Sequence, residues 1–221
     1  MRRVIRATGR LFAAILVAGA SPDSTGAERY EADLAAGRVT IEGTSTLHDW
    51  HAEGRQVEGS VLAQEHELAA LWGTTGDLAP HELAPTVRVE IPVASLTSGK
   101  RGLDEKMREA LKADTYPLIT YRLESAQHAV RHAAHADGGS ESLTLETTGV
   151  LTVAGVERAV ELPMQVRRLS SDRLEVSGET LLRMTEFGID PPRAMLGAIR
   201  AGDEVHVHWT WMLTRDRSTH P

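Results

Sequence analysis

The sequence predicts an all-β fold of antiparallel strands, a sandwich or a barrel, with one or two short helices. Two observations carry this. Apolar residues recur at every second position in run after run, and turn residues interrupt the runs at short intervals. A third observation is the near absence of helical spacing, which one segment alone displays clearly.

The runs come in order. Arg38-Val39-Thr40-Ile41-Glu42 begins a strand, and Val57 to Ala63 alternates again. Val87, Val89, Ile91 and Val93 share one face, with Arg88 and Glu90 opposite. Ile119, Tyr121 and Leu123 repeat the pattern, followed by Leu143 to Val153, Val160 to Val166 and Leu174 to Leu182. The clearest run is Val205, Val207, Trp209, Trp211 and Leu213. Gly149, Gly155 and Gly178 lie in or between strands, where bends and bulges occur.

The helical exception is LDEKMREALK, in which Leu103, Met107, Ala110 and Leu111 form one face. Lys106, Arg108, Glu109 and Lys112 are expected on the rest of its surface. Tyr116-Pro117 ends the segment. A second short helix is expected around Glu67 to Trp72, inside a long connection from Gln64 to Pro85. Gln127 to Glu141 reads as a hairpin excursion with a Gly-Gly tip.

Composition bounds the function. The chain has 221 residues and a formal charge of −7. Arg2, Arg3, Arg6 and Arg10 precede the short apolar run Leu11 to Ala18, and Ala18-Gly19-Ala20 offers small residues for cleavage. This has the form of a secretory signal peptide, well short of the ~20 apolar residues that span a bilayer. Cleavage removes four arginines and no acid, so the mature chain is more acidic still. That argues against nucleic acid and against an anionic membrane surface as partners. The chain contains no Cys, so disulfides and thiol chemistry are excluded. The expected division is a signal peptide and leader over 1–27, a barrel or sandwich over 28–213 and a disordered tail over 214–221.

Candidate chemistry concentrates in GTSTLHDWHAEG, Gly43 to Gly54. On a strand, His48 and Trp50 point one way and Asp49 and His51 the other, so the two histidines do not converge. A metal site would need further ligands from elsewhere, and His206 and His208 are the nearest in type. A metal-dependent or hydrolytic enzyme using His48, His51, His206 and His208 is therefore one reading. Against it, no nucleophile elbow, no triad frame and no phosphate-cradling glycine loop is found. No catalytic residue, metal or cofactor is assigned. The other reading is binding within an apolar interior. Aromatics make up only 4% of the chain, and Val, Ala and Gly at strand positions leave room inside a barrel.

Four blocks, in order, resemble the YceI family of lipocalin-like, polyisoprenoid-binding periplasmic proteins. They are STLHDWHAEGRQVEGSV; VEIPVASLTSGKRGLDEKMREALKADTYPLITYRLES; TGVLTVAGVERAVELPMQV; and LRMTEFGIDPP followed by GDEVHVHWTWML. Where the better-known branch often carries R-D-x-H-L, this chain has Leu103-Asp104-Glu105-Lys106-Met107. It is more similar to an LHDW-type branch, after Leu47-His48-Asp49-Trp50. The resemblance implies an antiparallel lipocalin-like β-barrel of about eight strands. It also implies a periplasmic location and an amphiphilic lipid ligand such as an isoprenoid, a quinone or a fatty-acid derivative. In that reading His48 and Trp50 face the interior, with His48 buried and hydrogen-bonded. Met107 and Leu111 cap the mouth, and Phe187 lies at the E-F-G-I turn. The ligand-contacting set is His48, Trp50, Met107, Leu111, Tyr116, Tyr121, Phe187, Trp209 and Trp211. A homodimer is compatible with the resemblance, and an envelope stress-response domain that binds a protein partner is a further alternative.

Overall fold

A computed structural model describes residues 26–72, 85–132, 140–194 and 198–218. The expected signal peptide, most of the 64–85 connection and the tip of the 127–141 excursion lie outside the described residues.

Among the described residues twelve strands form in chain order: β1 (Ala27–Ala32), β2 (Arg38–Ser45), β3 (Trp50–Gly54), β4 (Glu58–Gln64), β5 (Thr86–Pro92), β6 (Leu96–Thr97), β7 (Leu118–His132), β8 (Ser142–Val153), β9 (Val156–Arg168), β10 (Arg173–Arg183), β11 (Arg193–Ala194) and β12 (Ile199–Arg215). Two helices interrupt them, α1 (Glu65–Trp72) after β4 and α2 (Arg101–Ala110) after β6. The eight strands β1-β4-β5-β7-β8-β9-β10-β12 run antiparallel, and β12 returns to β1 to close the barrel. Closure leaves no free edge around this ring, which removes the main aggregation hazard of a sheet.

The last strand is the hub. One edge of β12 follows β10 from Glu204 opposite Arg183 to Thr214 opposite Arg173. The other edge is shared. Its end pairs with β1, Leu213 opposite Ala32 and Arg215 opposite Tyr30. Its earlier part pairs with β2, from Thr210 opposite Arg38 back to Ala201 opposite Ser45. The β2–β3 hairpin, extended by β6, therefore branches from the barrel wall.

Sequence periodicity does not reveal β1, because AERYEA contains a single large apolar residue. Tyr30 is that residue, and it is buried. Its hydroxyl donates to Glu28 Oε2 at 3.1 Å, and Arg215 donates to the other oxygen of Glu28 at 2.5 Å. Burial, reinforced by the Glu28 carboxylate, pushes the Tyr30 phenol up to about 12. One aromatic and one ion pair thus fasten the seam that alternation fastens elsewhere.

The same seam corrects the expected tail. Thr214 and Arg215 belong to β12. Beyond them, the Asp216 amide donates to the Arg29 carbonyl at 2.8 Å, and Arg217 pairs with Asp172.

Helix α2 is entered through an acid. Asp104 accepts from the Ser98 amide and hydroxyl, both at 2.6 Å, and from the Thr97 hydroxyl at 2.8 Å. A carboxylate in the first turn also suits the helix dipole. The hydrogen bonds from Ser98, and then that from Thr97, hold the Asp104 carboxyl below its ordinary value.

The core divides into two clusters. Tyr30, Val57, Leu174, Val176, Trp211 and Leu213 pack with Leu68 and Trp72 of α1 at one end. Val153, Ala154, Phe187 and Ile189 pack with Ala110 and Leu111 beside α2 at the other. The space between them defines the site.

Candidate functional site: an apolar barrel cavity

Inward positions of nearly every barrel strand, together with both helices, line one cavity of about 430 Å³. That volume lies within the range of ligand pockets, about 300–1,000 Å³. Its wall is almost wholly apolar. Aliphatic side chains leave this space because the barrel perimeter is set by strand number and tilt, while few large rings are available to fill it.

The indoles are seated on glycines. Trp50 lies against its cross-strand partner Gly43, where a Cβ would come within 2.3 Å of the ring. Trp209 lies over Gly178 in the same way, a Cβ there falling 2.4 Å from the ring. These glycines let a broad ring lie flat in the wall instead of projecting across the lumen. Gly178 is therefore a seat within a regular ladder and not the bend expected from sequence. The Trp50 N–H donates to the Thr44 carbonyl at 3.2 Å. The Trp211 N–H is buried without an acceptor among the described residues.

Eight of the nine expected contact residues line the cavity: His48, Trp50, Met107, Leu111, Tyr121, Phe187, Trp209 and Trp211. Tyr116 does not. It is 41% exposed, and its ring lies against Gly155, outside the lumen. The chain leaves α2 through Lys112, whose φ of 53° turns it sharply, and this reversal carries Tyr116 to the exterior.

His48 also differs from expectation. It is exposed and lies in the turn between β2 and β3, not on a strand. Ser45 makes that turn: its hydroxyl donates to the His48 carbonyl at 2.6 Å and accepts from the His48 amide at 3.2 Å. The His48 ring meets the Asp49 carbonyl at 3.1 Å, a neighbour in its own turn. Its place is the rim of the cavity.

Tyr121 is buried, with its hydroxyl 3.5 Å from Thr147 Oγ1. Thr147 donates to the Leu162 carbonyl at 2.6 Å. Burial pushes the Tyr121 phenol up, so the ring stays neutral across the ordinary pH range.

The histidines do not assemble. His51, His206 and His208 lie on the outer face of β3 and β12, alternating with the inward Val205, Val207 and Trp209. His206 and His208 stack with ring centroids 6.4 Å apart, and His208 faces Glu179 at 3.2 Å. The barrel wall separates them from the lumen and from the His48 rim. Among the described residues no group of three or more His, Asp or Glu is placed to hold a metal ion. The four-histidine enzyme reading is corrected by this geometry.

Sequence reasoning passed over three lining cations: Lys106, Arg183 and Arg193. The signal for Lys106 was present. It stands three residues after Leu103 and so falls on the apolar face of α2 with Leu103, Met107, Ala110 and Leu111, all of which line the cavity. It had been expected off that face.

Comparison with known proteins agrees with this architecture. The YceI-like domain family matches residues 30–211. A polyisoprenoid-binding domain from Saccharophagus degradans, implicated in plant cell wall breakdown, superposes with a TM-score of 0.60 at 15% identity, covering 85% of this chain and 98% of that one. BcnA of Burkholderia cenocepacia superposes with a TM-score of 0.57 at 19% identity, covering 82% and 98%. No curated protein matches the chain. With the family pattern spanning almost the whole barrel, the chain belongs to the YceI-like domain family.

Proposed function

We propose that the protein is an exported, periplasmic lipid-binding protein that carries or sequesters an amphiphile in its barrel. The observation that carries this reading is the apolar cavity of about 430 Å³ running between the two core clusters. Carriage needs no catalytic group; it needs apolar surface that a tail can cover. Each buried methylene contributes about 0.8 kcal/mol, so a chain of a dozen carbons contributes roughly 10 kcal/mol against the costs of association and ordering. The fold shared with a polyisoprenoid-binding domain is in keeping with a long tail. An isoprenoid, a quinone or a fatty-acid derivative has the required form. Among the described residues no helix is long and apolar enough to cross a membrane. The basic, then apolar, start of the chain supports export.

Native mass spectrometry of the protein secreted by its own leader, followed by solvent extraction and lipid analysis, tests the proposal. A stoichiometric co-purifying lipid is the expected result. An empty protein that also fails to take up long-chain amphiphiles from solution would refute it.

A further inference from the structure

The four ionisable side chains at the cavity wall, apart from the neutral phenol of Tyr121, are His48, Lys106, Arg183 and Arg193. All are of the basic type, and among the described residues no Asp or Glu joins them. The bias is strong in a chain that carries 31 acids against 24 Lys and Arg. The four also gather at one end. The Thr46 amide beside His48 donates to the Arg200 carbonyl at 3.0 Å, and Arg200 is the cross-strand partner of Arg193. Arg183 lies opposite Glu204 a few residues further along β12. Lys106 stands one turn before Ala110, which packs on the same cluster as Phe187 and Met184.

We infer that the cargo is an anionic amphiphile whose carboxylate or phosphate head sits at the α2 mouth, among Lys106, Arg193 and His48, with its tail directed toward α1. This rests on the lipid-binding reading and narrows it. Arg183 is engaged by Glu204 at 3.1 Å. Lys106 and Arg193 make no ion pair among the described residues. A lysine on the apolar face of a helix runs its butyl stem along the wall and holds its ammonium at the water boundary, which is where a head group would lie. Arginine offers an anion a fork of donors, and a low-dielectric wall behind these charges strengthens the attraction. Among the described residues the opposite end provides nothing comparable: Leu68, Leu71, Trp72 and Pro85 line it.

The test compares dodecanoate, dodecyl phosphate and dodecanol, which share a tail and differ in head. Binding is read from the emission of the four tryptophans, Trp50, Trp72, Trp209 and Trp211, all in the cavity wall. The two anions are expected to bind about tenfold tighter than the alcohol at low salt, with the ratio falling as salt rises. In the Lys106→Gln/Arg193→Gln double variant the ratio is expected to fall to about threefold or less. Glu105→Gln, on the same helix but outside the cavity, keeps the wild-type ratio. Equal binding of all three compounds overturns the anionic head and leaves the lipid-binding reading standing. An anion preference that survives the double variant overturns the α2 mouth as its seat. Failure of all three to bind a folded protein overturns both readings.

Discussion

The two ends of the barrel are closed by different chemistry. At the α1 end a large cluster meets an apolar helix: Trp211, Leu213 and Tyr30 pack with Leu68 and Trp72. Even its cation serves packing, since the Arg168 guanidinium lies 5.6 Å from the centre of the Trp72 ring. At the α2 end the cluster is smaller and the helix brings a lysine to the cavity. Hydrogen bonds to Asp104 fix the entry to the helix there. In the reading proposed above, stability and selectivity occupy opposite ends. One end supplies the larger packed cluster, and the other would select what enters.

Truncation at the first end sharpens that contrast most. Leu213 is 1% exposed within the α1 cluster and lies on the strand that seals the seam. Leu213→Ala is expected to lower stability by about 3 kcal/mol, read from urea unfolding. A loss under about 1 kcal/mol would mean that the α1 end does not dominate stability.

A smaller effect is expected at Asp104. Removing its charge weakens three hydrogen bonds, and Asp104→Asn is expected to cost about 1–2 kcal/mol at neutral pH. The folded carboxyl lies below its ordinary value of 3.8. Its contribution is therefore complete above that value and is lost as pH falls through the folded pKa. The stability gap between wild type and variant should narrow as pH falls below 3.8. A gap independent of pH would break the assignment of α2 docking to this carboxylate.

The smallest effect belongs to the exposed side of α2. Arg101 and Glu105 form an i,i+4 pair at 2.9 Å, with side chains 92% and 57% exposed. Glu105→Gln is expected to change stability by less than about 0.5 kcal/mol. Thermal unfolding checks this, and a larger loss would show that surface charge also anchors the α2 end.

Much of this architecture was legible in the sequence, and the gaps have physical causes. Alternation reports burial on one face of a strand, so the long β7 to β10 and β12 were read readily. Strand β1 escaped because its place is secured by Tyr30 and the Glu28–Arg215 pair, which leave no period-two signature. His48 was misplaced because the pattern gives no sign that Ser45 ends the strand through its own hydroxyl. The basic rim was hidden for a different reason. Lys106, Arg183 and Arg193 come from separate elements, and only the fold brings them to one mouth. Trp50 and Trp209 were placed correctly in the wall. Their glycine seats, Gly43 and Gly178, were recoverable in principle, since a glycine set within an alternating run is a cue for an aromatic neighbour across the ladder.

The pairing of β1 with β12 has a consequence for assembly. The strands that complete the ring stand almost at opposite ends of the barrel sequence, with Tyr30 opposite Arg215. The ring is complete only when the last strand is in place, because β12 must satisfy β10, β2 and β1 together. Contacts of such long range make folding slow relative to a helical protein of the same size. Before closure no lumen encloses the apolar inner face. An amphiphile present at the moment of closure could be wrapped as the wall forms, as well as threaded later through the finished mouth.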